Sequence, residues 1–259
     1  MINLLTRSKG GAGKAKKVGA SAARGETKFL GATVRGDSSI KKLALVFTGD
    51  EFADGGEIIR KSLNDDNVKA SFFLTGNFYR NPAYKALIES LKRDGHYLGP
   101  HSDKHLLYCD WTKRDSLLVT KEQFEKDLDA NYVELARFGI SKGDAPFFLP
   151  PYEWYNKKIA DWTKEQGSSL LNFSPGTRSN ADYTYPQLGK SYKTSEEIFR
   201  SITSYNESHP NGLNGFILLL HIGTDPQRTD KFYEKLPLLI KYLKNNGYEL
   251  KKIDDLLSQ

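Results

Sequence analysis

The run Gly215-Phe216-Ile217-Leu218-Leu219-Leu220 has no polar alternation and no helical spacing, so it reads as a strand covered on both faces. A strand of that kind belongs to a sheet with helices packed over it, and its neighbours run parallel. Leu43-Ala44-Leu45-Val46-Phe47 and Ala70-Ser71-Phe72-Phe73-Leu74 repeat the pattern, and shorter strands fit 96–99, 147–149, 168–173 and 248–252. Between them lie helical spacings. One covers Glu57 to Leu63, and another opens at Asn81-Pro82, with proline tolerated in the first turn, and runs to Lys92. A third starts at a capping box, Thr120-Lys121-Glu122-Gln123, and ends at Phe138 before Gly139. Further helices fit 156–166, 195–207 and 229–246. The alternation predicts an α/β fold, and about seven parallel strands suit an incomplete (β/α) barrel better than an open sheet.

Charge then narrows the partners. The net charge of the 259 residues is +6, and all of it resides in residues 1–37, which hold eight Lys/Arg against Glu26 and Asp37. The remainder has 30 basic and 30 acidic residues, so the folded body has no electrostatic basis for holding nucleic acid. Residues 1–30, rich in Gly, Ala, Ser and Lys, bury too little to offset their ordering entropy. We expect residues 1–37 to form a flexible basic arm or linker and 38–259 a single catalytic-type domain. Cys109 is the sole cysteine, which excludes an intrachain disulfide and a multi-cysteine metal site. No stretch approaches eighteen apolar residues, so no membrane span is expected, and Met1-Ile2-Asn3-Leu4-Leu5 lacks the apolar run of a signal peptide. Oligomeric state leaves no trace in the pattern.

In parallel α/β folds chemistry collects beyond the carboxyl ends of the strands. Read in order, those ends carry Asp50 and Glu51, then His101 and His105, then Pro150-Pro151-Tyr152-Glu153-Trp154, then Asn172 to Gly176, then His221. His101 and His105 are four residues apart, one turn if helical, and two imidazoles so spaced can share a metal ion, though such doublets also arise by chance. Asp50 from a separate strand end completes a candidate ligand set that leaves open positions for water, the catalytic arrangement. His221 closes an apolar strand; it is either a satisfied core histidine or a general acid. His96 reads as structural and His209, beside Pro210, as an exposed loop residue.

Gly95-His96-x-x-Gly99-x-His101-Ser102-x-x-His105 resembles the metal-binding motif of the polysaccharide deacetylases, the NodB-homology carbohydrate esterases. The similarity extends from about Lys41 to Leu257 and includes Lys69-Ala70-Ser71-Phe72-Phe73-Leu74 and Leu219-Leu220-His221. It implies a distorted (β/α) barrel and hydrolysis of O- or N-acetyl groups on an acetylated polysaccharide or oligosaccharide. It also implies a divalent metal, Zn2+ foremost with Co2+, Ni2+ or Mn2+ as substitutes, held by Asp50, His101 and His105. A periplasmic or secreted setting follows from the same resemblance.

The departures are as informative. The family's Thr-Phe-Asp-Asp-Gly motif sets a base Asp before a ligand Asp; here Val46-Phe47-Thr48-Gly49-Asp50-Glu51 puts Asp50 at the ligand position and Gly49 at that of the base. Arg-x-Pro-Tyr becomes Leu149-Pro150-Pro151-Tyr152, and the Asp-bearing fourth motif becomes Asn172-Phe173-Ser174-Pro175-Gly176. Two readings follow. In one, metal-activated water still attacks, Glu51, Asp54 or His221 handles the proton, and the Tyr152 N–H stabilises the oxyanion. In the other, the domain keeps the cleft but only binds glycan. Tyr108, Trp111, Tyr152, Trp154 and Tyr155 are the aromatic candidates for contact with sugar rings, with Trp111, Tyr152 and Trp154 foremost; ordinary packing near loops is the competing explanation.

Overall fold

The computed structural model describes residues 25–257. Nine strands and eight α-helices alternate along it: β1 (Thr27–Phe29), β2 (Ala32–Arg35), β3 (Lys42–Gly49), α1 (Gly56–Asp65), β4 (Ser71–Leu74), α2 (Gly76–Arg80), α3 (Lys85–Arg93), β5 (Tyr97–Pro100), α4 (Lys121–Arg137), β6 (Phe147–Phe148), α5 (Lys157–Glu165), β7 (Ser169–Leu170), α6 (Ser195–Ser208), β8 (Phe216–His221), α7 (Leu236–Asn245), β9 (Glu249–Lys251) and α8 (Ile253–Leu257). The main sheet has the order β1-β2-β8-β3-β4-β5, and β6 and β7 pair separately. Single contacts close the ring. Leu149 N donates to Pro100 O at 3.3 Å, joining β5 to β6, and a parallel bridge between Thr33 and Leu171 joins β7 to β2. The result is a distorted (β/α) barrel whose closure is far weaker than its β8-β3-β4-β5 wall.

The parallel wall follows from composition. Phe216 to Leu220 of β8 are at most 1 % exposed, and so are Leu43 to Phe47 of β3, because helices cover one face and the barrel interior the other. Each Val, Leu, Ile or Phe side chain among them contributes about 1.5–3 kcal/mol on burial. Phe47 and Phe72 stack across β3 and β4 at 5.1 Å. The capping box forms as the spacing predicts: Gln123 N donates to Thr120 Oγ1 at 3.2 Å and Thr120 N to Gln123 Oε1 at 2.8 Å.

Two expectations need correction. Not all ring strands are parallel: β2 pairs antiparallel with β8 and occupies the seventh place. It comes from the segment expected to be a flexible arm, of which residues 1–24 lie outside the described residues. Ala32 is fully buried, and β1 and β2 join through Leu30 (φ 46°) and Gly31 (φ 90°), both left-handed as a tight type I′ hairpin requires. The expected last strand, β9, lies outside the ring, pairing only with Lys42–Ala44 at the start of β3, below the point where β4 joins. Among the described residues no helix is long and apolar enough to cross a membrane.

Candidate functional site

A cavity of about 530 Å³ opens at the carboxyl ends of β3, β5 and β8, and Asp50, Glu51, His101, His105, Tyr152 and His221 are all on its wall. Segments more than a hundred residues apart in the chain therefore meet where the strand ends predict.

The histidine loop is clamped from behind by α4. Asp127, Asn131 and Glu134 fall on one helix face and are buried there, which is why this long helix lacks a clean apolar stripe. Asn131 Oδ1 accepts the His101 N–H at 2.8 Å, and Asn131 Nδ2 donates to Leu74 O at 3.3 Å. Asp127 accepts from Lys104 N at 3.0 Å and from Tyr108 OH at 2.6 Å. Arg80 pairs with Asp103 and, at 3.3 Å, with Glu134. A Cβ on Gly76 would sit 1.8 Å from Asp103 Oδ1, so only glycine lets α2 approach the loop this closely. Sequence reading missed this polar face, although its i, i+4, i+7 spacing was available.

The loop's geometry prepares the imidazoles. His101 Nδ1 lies 2.8 Å from Leu149 O, so that nitrogen carries the proton and Nε2 keeps its lone pair. Burial pushes His101 well below the ordinary imidazole range and also lowers His105, favouring the neutral form of both. Asp50 Oδ1 is fixed by the Thr75 hydroxyl at 2.7 Å and by Asn77 Nδ2 at 3.4 Å, while Oδ2 stands 3.9 Å from His105 Nδ1. The His101 and His105 rings are 5.2 Å apart. This donor chemistry, one carboxylate and two neutral imidazoles, suits a divalent cation. Among the described residues, however, no three His, Cys, Asp or Glu side chains converge tightly enough to hold an ion as placed.

His221 has a partner the sequence reading did not find. Asp182, in the short 3₁₀ turn Ser179–Tyr183, sets Oδ1 2.6 Å from His221 Nδ1 and accepts the His221 backbone N–H on Oδ2 at 2.8 Å. Burial opposes a charged ring, but the Asp182 carboxylate outweighs it and holds the His221 pKa above its usual value. The segment read as the degenerate fourth motif does different work: Asn172 Nδ2 donates to the Glu153 carbonyl at 2.8 Å. Nothing local in the sequence marks Asp182; only the crossing of its turn over β8 brings it to His221.

Gly49 does not stand in for a missing base. Its backbone borders the cavity, but a Cβ there would lie 2.6 Å from Ile222 Cγ2 and 2.9 Å from Leu74 Cδ2, in the apolar core. The residue one step earlier, Thr48, lines the cavity, and its hydroxyl is buried without a hydrogen-bond partner. Strand alternation explains the exchange. Asp54 is also unavailable as a base: it pairs with Lys231 and accepts from Thr224 N and Tyr233 OH, each at 2.8 Å. Glu51 is exposed at the cavity rim.

The aromatic candidates separate cleanly. Trp111 (53 % exposed) and Tyr152 (44 %) meet edge to face at 5.5 Å on the cavity wall, and Tyr152 also lies 4.3 Å from the His105 ring. Trp154 instead serves the loop: its indole N–H donates to Asp110 O at 3.1 Å, and the Arg114 guanidinium covers its ring at 3.9 Å. Tyr108 and Tyr155 are core residues, at most 1 % exposed. His96 is structural, accepting the Ala70 N–H at 3.2 Å, with burial lowering its pKa to about 4. His209 is not free in a loop; it caps α6 and stacks on Tyr205 at 4.7 Å.

Comparison with known proteins accords with this geometry. A family model described as polysaccharide deacetylase matches residues 38–171. An uncharacterized 30.6 kDa protein of Geobacillus stearothermophilus is 25% identical over 230 residues, covering 88% of this chain and 76% of that one. The peptidoglycan-N-acetylmuramic acid deacetylase of Bacillus subtilis is 28% identical over 196 residues, 75% of this chain and 63% of its own length. A crystal structure described as a CE4 family pseudoenzyme from Bacillus anthracis superposes with a TM-score of 0.67 at 17% identity, over 87% of this chain and 68% of that one.

Proposed function

The chain belongs to the polysaccharide deacetylase family, and on that footing we propose that it hydrolyses O- or N-acetyl groups on an acetylated polysaccharide or oligosaccharide. The observation that carries this reading is the His221–Asp182 pair facing Asp50, His101 and His105 across one cavity. A divalent ion, with zinc favoured, would take Asp50, His101 and His105, whose donor chemistry suits it once the side chains close. When bound, the ion supplies Lewis-acid polarisation and a lowered water pKa.

The chain's own residues account for the remaining chemistry. Tyr152 has φ 58°, and among the described residues its N–H has no acceptor, so it is free to donate to the oxyanion of an acetyl carbonyl. Asp182 holds the proton on His221 Nδ1 and, by its charge, favours the imidazolium that donates from Nε2 to the leaving sugar oxygen or nitrogen. Trp111 and Tyr152 offer apolar faces to sugar rings at the rim.

Acetate release from acetylated xylan and from N-acetylated chitooligosaccharide, with and without a chelator, tests the reading. Chelation should abolish release and added zinc restore it, and purified protein should bind zinc in a titration that His101→Ala eliminates. Absence of release from every glycan, with zinc or without, would sink it. The rival reading, a glycan-binding domain without turnover, draws on the lack of a carboxylate at Thr48 and Gly49 and on the exposed Trp111–Tyr152 pair. It predicts retention on the same glycans with no acetate released.

A further inference from the structure

We propose that Glu153 is the general base of this site, replacing the carboxylate that the end of β3 lacks. The proposal rests on the deacetylase reading above and adds to it the residue that takes the proton from water.

Glu153 lines the same cavity as Thr48, Asp50, His105 and His221. Its backbone is left-handed (φ 52°) and follows Tyr152 at φ 58°. Two consecutive non-glycine residues in that region cost about 1–3 kcal/mol each, and a surface glutamate gains nothing from it. The strained turn is held in place: the Glu153 N–H donates to Pro150 O at 3.1 Å and its carbonyl accepts from Asn172 Nδ2 at 2.8 Å. The effect is to turn the side chain into the cavity.

Other carboxylates there are committed. Asp50 is tied to Thr75 and Asn77, both oxygens of Asp182 to His221, and Asp225 Oδ1 to the Gln227 N–H. Glu51 is exposed at the rim. Among the described residues the Glu153 carboxylate makes no hydrogen bond or ion pair, and Thr48 Oγ1, buried without a partner, lines the same cavity. Its charged and titratable surroundings are His221 of β8, Asp182 and Tyr183 of the 3₁₀ turn, and, around the cavity, Asp50, Glu51, Tyr152, Tyr185, Asp225, His101 and His105. Burial raises the Glu153 carboxyl to about 7, with Asp182 adding to the effect and His221 opposing it, which suits proton uptake near neutral pH.

The step balances without an outside reagent. Water gives a proton to the Glu153 carboxylate as its oxygen bonds to the acetyl carbon, and the carbonyl π pair moves to the oxygen facing the Tyr152 N–H. The oxyanion pair then re-forms the carbonyl as the bond from carbon to the sugar oxygen or nitrogen breaks, that bond's pair staying with the leaving atom, which takes a proton from His221. The proton on Glu153 returns to the now neutral His221 by way of solvent in the cavity that both line, restoring both groups, and the acetic acid ionises in solvent.

The test uses the full chain with acetylated xylan and N-acetylated chitooligosaccharide. Glu153→Gln should lower kcat about 10²–10⁴-fold with KM nearly unchanged, and kcat/KM should lose the limb that falls as pH drops through about 7. Glu153→Asp should recover part of the rate. Glu153→Gly, which suits the left-handed backbone, should raise Tm while losing the same activity, so a fold defect cannot imitate the result. Wild-type rates and pH profile in Glu153→Gln or Glu153→Gly overturn the assignment and leave the deacetylase reading standing. If the wild-type chain itself releases no acetate from either glycan, both fall together.

Discussion

Asp182 holds His221 twice, by its ring nitrogen at 2.6 Å and by its backbone N–H at 2.8 Å. One carboxylate thereby sets the tautomer of the imidazole and the position of the strand end that carries it. Asp182→Asn keeps the shape but removes the charge that outweighs desolvation and one of the two acceptors that hold His221, so the His221 pKa should fall. We expect the alkaline limb of kcat/KM to move to lower pH and kcat to drop about 10²-fold or more. An NMR titration of the His221 ring would follow the same shift, and an unmoved midpoint would show that Asp182 does not control it.

The same pair bears on stability. Because the folded pKa of His221 lies above the unfolded value of 6.5, its contribution is complete below pH 6.5 and disappears as pH rises through the folded pKa. Glu153 shifts in the same sense: its carboxyl rises from 4.5 to about 7, so folded stability declines between those pH values, by at most ~3 kcal/mol. Denaturant melts at pH 5 and pH 8 should therefore differ more for wild type than for Glu153→Gln.

Restoring an acid at the end of β3 should succeed at one position and fail at its neighbour. Gly49→Asp drives a Cβ to within 2.6 Å of Ile222 and should cost about 2 kcal/mol or more with no gain in acetate release. Thr48→Asp places its carboxylate in the cavity and should raise the rate of a Glu153→Gln background. Thermal melts together with rates on both variants decide the matter.

Asn131 carries the histidine loop. Asn131→Ala removes the nearer of two acceptors of the His101 N–H, leaving Leu74 O at 3.2 Å, and removes a second donor to that carbonyl, so it should cost about 1 kcal/mol in a denaturant titration. Zinc affinity should weaken with it, since His101 keeps only the longer of its two backbone tethers. Asn131→Asp, which keeps an acceptor for that N–H, should weaken zinc binding less.

At the rim, Trp111→Ala should weaken glycan binding by about 0.5–1.5 kcal/mol, read as a higher KM or a weaker Kd, with Tm nearly unchanged because the ring is half in solvent. Trp154→Ala should do the opposite, lowering Tm through the loss of its contacts to Asp110 and Arg114. A large effect of Trp154→Ala on KM alone would contradict its placement.

What the amino-acid order determined by itself was whatever short-range physics governs. Apolar runs at 43–47 and 215–220 had to become strands with both faces covered, Thr120 with Gln123 had to cap a helix, and Asp50, His101, Tyr152 and His221 then fell at strand ends on one rim. Tertiary structure decided everything that depends on which distant segment crosses which. It took β2 out of the expected arm and made it the seventh stave, because Ala32 and Val34 are buried where β2 runs between β8 and the end of β7. It paired Asp182 with His221 across 39 residues, turned Gly49 outward and Thr48 inward, and committed Asp54 to Lys231. No local periodicity encodes those outcomes. A carboxylate's role depends on the charge it meets, and that meeting occurs only once the barrel has closed.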